Sequence, residues 1–176
     1  MRKNFFLIIL LAIGLSYPSG ICFSDWGATK RLTWNSGDSY FPAIAIDSNN
    51  NLHVVWCDST PGNWEIYYKR STDGGLSWGA TKRLTWNSWD SYFPAIAIDS
   101  NNNLHVVWHD WTPGNWEIYY KRSTDGGLSW GATKRLTWNS GNSLYPGIAI
   151  DSNNNLHVVW CDSTPSNYEI YYKKGT

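Results

Sequence analysis

The sequence predicts an all-β fold made of three four-stranded sheets stacked face to face. Thirteen Trp and eleven Tyr accompany a single Met. Beyond the N-terminus no stretch repeats its apolar residues at helical spacing. The string Gly-Ala-Thr-Lys-Arg-Leu-Thr-Trp begins at Gly27, Gly79 and Gly131, a period of 52 residues, and self-similarity at such a period marks stacked supersecondary units. Residues 27–78 and 79–130 differ at three positions only: Gly37 becomes Trp89, Cys57 becomes His109 and Ser59 becomes Trp111. The third repeat fills 131–176.

Taken in order, residues 1–24 read as a signal peptide. Arg2 and Lys3 precede the apolar run 5–15, and a polar stretch rich in small residues follows. Cleavage falls after Ser24 or a little earlier, near Gly20. Lipidation at Cys22 is the alternative, and Ile21 stands where it wants a small residue. The apolar run has about 11 residues against the roughly 20 needed to span a bilayer, so secretion, outside the cell or into a periplasm, is expected rather than anchoring. All fourteen acidic residues and twelve of the fourteen basic ones follow this leader, a net charge of −2. Without a basic cluster, nucleic acid is excluded as a partner. Cys57 and Cys161 hold equivalent places two repeats apart, too far for a bridge whose Cα atoms must approach within about 7 Å. Both are expected as buried free thiols.

Within a repeat, residues 42–47 read as strand A and 47–51 (Asp-Ser-Asn-Asn-Asn) as a hairpin turn whose Asn tolerates positive φ. Strand B covers 52–58. Its two sides, Leu52, Val54, Trp56 and His53, Val55, Cys57, are both largely apolar, which requires a sheet on each side. Strand C covers 64–70 and strand D 81–86. Four short strands per repeat with two-sided burial describe a β-propeller blade. The chain opens on a D-type strand, 29–34, and its last repeat has strands A, B and C only, so the N-terminal strand is expected to complete the last blade.

The loop between C and D carries a family resemblance. Residues 71–78 read Ser-Thr-Asp-Gly-Gly-Leu-Ser-Trp, and 123–130 repeat them letter for letter. This resembles the Asp-box, or bacterial neuraminidase repeat, of sialidase-like β-propellers, with Ser71, Asp73, Gly75 and Trp78, then Ser123, Asp125, Gly127 and Trp130, in the motif positions. A remnant at residues 23–26 keeps only the Trp. The resemblance implies a propeller in which the box is structural: the Asp carboxylate accepts backbone N–H bonds, Gly75 takes a positive φ and Trp78 plugs the blade.

The same resemblance sets a test for catalysis. Sialidases of this kind use a Tyr nucleophile, an acid/base Asp and three converging arginines, departing from the usual pair of carboxylates. Here Arg31, Arg83 and Arg135 are one residue repeated, spread along the outer edge. A Tyr–acid pair at Tyr40 and Asp38, or Tyr92 and Asp90, becomes Leu144 and Asn142 in the third repeat. No catalytic residue is assigned. The stretch from Asp47 to Asp58 mimics part of a calcium loop but has Leu52 where the sharp turn needs Gly. His53, His105 and His157 recur as core histidines. No metal and no cofactor are expected.

The expectation is a non-catalytic, glycan-binding module acting through repeated shallow sites. The alternatives are a sialidase-like glycoside hydrolase, or part of one, and a structural repeat for protein contacts. Because three blades are too few for a ring of roughly four to eight, a head-to-tail homodimer with six blades is expected. Trp89, His109 and Trp111 lie in or beside D–A and B–C connections, which share one face with Trp116. These four residues form the expected ligand platform.

Overall fold

The computed structural model describes residues 26–111, 114–164 and 166–176; the expected leader at 1–24 lies outside them. All strands belong to one compact unit, Leu32–Thr176. They are β1 Ser39–Ile46, β2 Leu52–Asp58, β3 Glu65–Ser71, β4 Lys82–Arg83, β5 Ser91–Ile98, β6 Leu104–Asp110, β7 Glu117–Ser123, β8 Lys134–Arg135, β9 Ser143–Ile150, β10 Leu156–Asp162 and β11 Glu169–Gly175. Among the described residues there is no helix, and hence none long and apolar enough to cross a membrane. The sheets are antiparallel meanders in the orders β1-β2-β3-β4, β5-β6-β7-β8 and β9-β10-β11.

Strand B matches its expected bounds in every repeat. Strand A begins earlier than its hydrophobic run, at Ser39, because Ser39 pairs with Asp58 beyond a bulge. Strand D is shorter than expected, two residues instead of six. Its pairing with β3 continues through a side chain: Leu84 N–H donates to the Ile66 carbonyl (2.7 Å), while Ile66 N–H donates to Thr85 Oγ1 (2.8 Å). A hydroxyl accepting where a carbonyl would sit ends the regular ladder.

The two-faced burial read from strand B is realised. Val106 and Trp108 of β6 join Val55, Cys57, Ile66 and Tyr68 in one core cluster. Val107, with Ile118 and Tyr120, joins Val158 and Trp160 in a second. Alternate residues of one strand thus feed cores on opposite sides of the sheet.

Each A–B hairpin is tied by its Asp. Asp47 Oδ1 accepts the N–H groups of Asn49 and Asn51 (both 2.9 Å), Oδ2 accepts Asn51 Nδ2 (2.8 Å), and Asn50 takes φ 61°. Burial raises the Asp47 pKa, but these bonds outweigh it and leave it below the usual carboxylate value. The turns also interlock: Ser48 N–H donates to Asn102 Oδ1, and Ser100 N–H to Asn154 Oδ1 (both 3.0 Å).

The third sheet has three strands, with β10 as the partner of β11 among the described strands. Residues 29–34 form no regular strand. The Leu32 carbonyl accepts Lys69 Nζ (2.8 Å), just as Leu84 accepts Lys121 and Leu136 accepts Lys173 (both 2.6 Å). Leu32 therefore stands before the first sheet as a D-segment stands before the sheet that follows it.

Candidate functional site

The A strands β1, β5 and β9 run closest to one another across the stack. Near the start of each lies a bulge. Tyr40 opposes Cys57 and Ala43 opposes Val55, so Phe41 and Pro42 together face the one residue Trp56. The aromatic at this bulge is left-handed in all three sheets: Phe41 φ 53°, Phe93 φ 51° and Tyr145 φ 54°. Bulky side chains resist this region, at a cost of about 1–3 kcal/mol each.

The bulges direct the rings across the sheet boundaries. Phe41 stacks on Phe93 with centroids 3.7 Å apart, and Phe93 meets the edge of Tyr145 at 4.7 Å. Beside this row, Tyr40 and Tyr92 flank Trp64 (5.4 and 5.2 Å), and Tyr92 reaches Trp116 at 5.9 Å. Tyr40, Phe41 and Tyr145 are exposed. The result is an apolar, ring-paved surface crossing all three sheets. Sequence reasoning missed its central row, although an aromatic before proline (Phe41-Pro42, Phe93-Pro94, Tyr145-Pro146) recurs once per repeat.

Of the four expected platform residues, three come together. Trp111 and His109 each meet Trp116 edge-on, at 5.2 and 4.8 Å. His109 is buried between the second and third sheets, and its Nδ1 accepts the Tyr145 N–H (3.1 Å). Burial lowers its pKa to about 3. It is a neutral ring that fixes Tyr145, with its Nδ1 satisfied inside the protein.

The Trp89 side chain is half exposed and joins the group through its loop. Its carbonyl accepts Asn63 Nδ2 (2.7 Å), while the neighbouring Asp90 carbonyl accepts the Trp111 N–H (3.1 Å). In the first and third repeats the same loops are held more tightly. Ser59 Oγ accepts Asp38 N–H and Ser163 Oγ accepts Asn142 N–H (both 2.9 Å). A Cβ on Gly37 or Gly141 would stand 2.4 Å from the backbone N of Thr60 or Thr164. The middle repeat therefore gives up a hydroxyl tie and a close glycine contact at one spot, and places two Trp there.

The carboxylates around this face serve the fold. Asp110 Oδ2 accepts Ser91 Oγ (2.8 Å), Asn87 Nδ2 (2.6 Å) and Trp108 Nε1 (3.1 Å). Buried Glu65 and Glu117 pair with Arg83 (2.6 Å) and Arg135 (2.9 Å) within their own sheets, so these arginines do not converge. Burial, and then the Asp90 charge, pushes the Tyr92 phenol up to about 12, the opposite of what a phenolate nucleophile needs. His53 is satisfied in the core by Tyr68 Oη (2.8 Å) and Asp47 Oδ2 (3.3 Å). Cys57 is buried, its thiol pushed up to about 12 by burial, and Cys161 is half-buried; both are free.

The turns at residues 71–78 and 123–130, which resemble the Asp-box, lie at the other end of the sheets, where Leu52 pairs with Ser71; the aromatic face lies where Asp58 pairs with Glu65. Asp73 accepts the Ser77 N–H (2.8 Å) and Ser77 Oγ (2.5 Å), which hold its pKa at about 2. Gly75 takes φ 86°, and its N–H donates to Ser71 Oγ (2.9 Å). In the second box Gly127 packs against the Tyr68 hydroxyl of the preceding sheet, and Trp130 meets the Tyr68 ring edge-on at 5.1 Å. Trp78 is half-buried.

No family model and no curated protein matches the sequence. Solved structures do share the fold. An endo-arabinase from Bacteroides thetaiotaomicron is 17% identical with TM-score 0.60, covering 85% of this chain and 60% of its own. An α-L-arabinofuranosidase from Fusarium graminearum is 14% identical with TM-score 0.66, covering 78% and 45%. A family 117 glycoside hydrolase from Zobellia galactanivorans is 10% identical with TM-score 0.60, covering 86% and 57%. This chain therefore spans about half of each neighbour, and the likeness is one of propeller-like fold.

Proposed function

We propose that the protein is a secreted, non-catalytic glycan-binding module of the sialidase-like Asp-box repeat type, working as a homodimer of six blades. The observation that carries the binding reading is the row Phe41, Phe93 and Tyr145, each held against its backbone preference. Strain repeated three times points to a use that opposes it. Flat exposed rings stack on the apolar faces of sugars, and Trp89, Trp111 and Trp116 widen the surface on one side. The fold neighbours include an endo-arabinase, an α-L-arabinofuranosidase and a family 117 glycoside hydrolase, which agrees with a carbohydrate ligand. Binding rather than hydrolysis is favoured because Asp110, Glu65 and Glu117 are engaged in buried bonding.

A glycan array probed with the purified protein tests this reading, with arabinose-containing and sialylated oligosaccharides included. Against the best ligand found, Tyr145→Gly removes a ring at a position glycine accepts without strain. A second variant combines Trp89→Gly, His109→Cys and Trp111→Ser. Each is expected to keep the fold and lose at least tenfold in affinity, about 1.4 kcal/mol. Parental binding by both variants would refute the aromatic face as the site. Release of free sugar from a bound oligosaccharide would replace the binding reading with the hydrolase alternative.

A further inference from the structure

Among the described residues, one strand edge and one apolar face of the third sheet stand open, and the chain twice shows what fills the equivalent places. Between sheets, Val107, Ile118 and Tyr120 are 0%, 0% and 9% exposed; their counterparts on the third sheet, Val159, Ile170 and Tyr172, are 44%, 73% and 57% exposed. At the opposite end of the stack, Ile44 and Ile46 are exposed, whereas their counterparts Ile96 and Ile98 pack against a core cluster. The two end faces are thus the two halves of an interface that the chain already makes twice.

The open edge has the same history. On β3 and β7 a D-segment supplies Arg83 to Glu65, Leu84 N–H to the Ile66 carbonyl and Thr85 Oγ1 to the Ile66 N–H, and likewise in the second sheet. Glu169 and Ile170 of β11 are the matching residues, and Glu169 accepts only Asn167 Nδ2 among the described bonds. Residues 26–34, Trp-Gly-Ala-Thr-Lys-Arg-Leu-Thr-Trp, are identical to 78–86 and 130–138.

A seat for the leading Trp is also present. A cavity of about 320 Å³ is lined by Tyr120, Arg122 and Lys134. Their counterparts one sheet earlier hold the second Asp-box: Arg70 donates to the Gly126 carbonyl (2.8 Å), Lys82 to the Gly127 carbonyl (2.9 Å), and Tyr68 meets Trp130.

We infer that residues 26–34 of one copy form the fourth strand of the β9-β10-β11 sheet of a second copy, and reciprocally. Trp26 fills the cavity over Tyr120, Arg31 pairs with Glu169, and the two chains close one six-sheet ring. This rests on the paired-copy reading above and is independent of the ligand. The occupant is a second copy because Leu32 and Asn35 are already held on the first sheet of their own chain, by Lys69 and Asp58. That is the place a D-segment takes relative to the next sheet. A strand so placed has its other edge turned toward a preceding sheet, and the third sheet of a second copy offers the matching three-stranded edge. Exchange of an identical element between protomers is an accessible route to a closed dimer.

The strand register gives the test. Arg83 lies opposite Tyr67 and Arg135 opposite Tyr119, so Arg31 is to lie opposite Tyr171. Full-chain protein carrying Arg31→Cys and Tyr171→Cys, with Cys161→Ser to remove the half-buried thiol, is oxidised and run without reductant. A covalent dimer is expected, and each single-cysteine variant should stay monomeric on the gel. A disulfide within one chain, or none, would overturn strand exchange. Light scattering on the unmodified protein should give twice the chain mass. A monomer, or open-ended polymers, would overturn the closed ring. Glycan affinity plays no part in either readout, so failure here leaves the binding reading standing.

Discussion

Phe41, Phe93 and Tyr145 show how a single residue opposes its local preference, and His109 shows what then holds one of them in place. The Tyr145 N–H ends on His109 Nδ1, in a site where burial lowers the imidazole pKa from 6.5 to about 3. The unfolded chain protonates this ring at its ordinary value, the folded chain only near 3. Between those values the unfolded state holds one more proton, so this stability is fully present above about pH 6.5 and is lost as pH falls toward 3. The slope is about 1.4 kcal/mol per pH unit. His53 and His105, also lowered by burial, act in the same direction. His109→Cys removes one contribution and leaves theirs. Urea midpoints measured from pH 7 to pH 4 should fall more steeply for the parent than for His109→Cys; parallel curves would mean that the ring already charges in the fold.

At the scale of elements, the Asp-box-like turn is held by its own side chains, and at residues 123–130 it is also locked by the preceding sheet. Ser123 is buried, with its Oγ accepting Gly127 N–H (2.9 Å) and donating to Asp125 (2.8 Å). Ser123→Ala leaves that N–H unmet and should cost about 1–3 kcal/mol. Trp130→Ala removes the ring against Tyr68 and should cost about 3–5 kcal/mol. Equal denaturation midpoints for parent and variants would remove the locking role. These turns were legible because their geometry is local: Asp, Gly and Ser at fixed offsets need only the chain itself. Strand B was legible for a related reason, since its unbroken apolar run permits one kind of environment. The left-handed Phe41 was not, because period-2 patterning cannot see a bulge that adds one residue to one strand. Strand D was overestimated because Thr85 looks like a strand residue but accepts with its side chain. Of the platform, contact of Trp111 and His109 with Trp116 followed from where the connections emerge. The burial of His109 did not, since it depends on Tyr145 one sheet away.

At the scale of the molecule, near-identical repeats provide an internal control that few proteins offer. Ile118 and Ile170 occupy the same register of the same strand, but Ile118 is sealed between sheets while Ile170 stands on the end face. In a lone chain their truncations must differ. Ile118→Ala would lose about 2–5 kcal/mol by leaving a cavity, while Ile170→Ala would stay within about 0.5 kcal/mol, as for other surface changes. If a second copy covers the end face, Ile170 is interior and its truncation weakens the assembly. The loss must then depend on protein concentration, because mass action couples association to folding. We expect Ile170→Ala to lower the thermal midpoint clearly at high concentration and progressively less on dilution, while the effect of Ile118→Ala persists at every concentration. An Ile170→Ala protein that melts with the parent throughout the dilution series would show that the end face faces water.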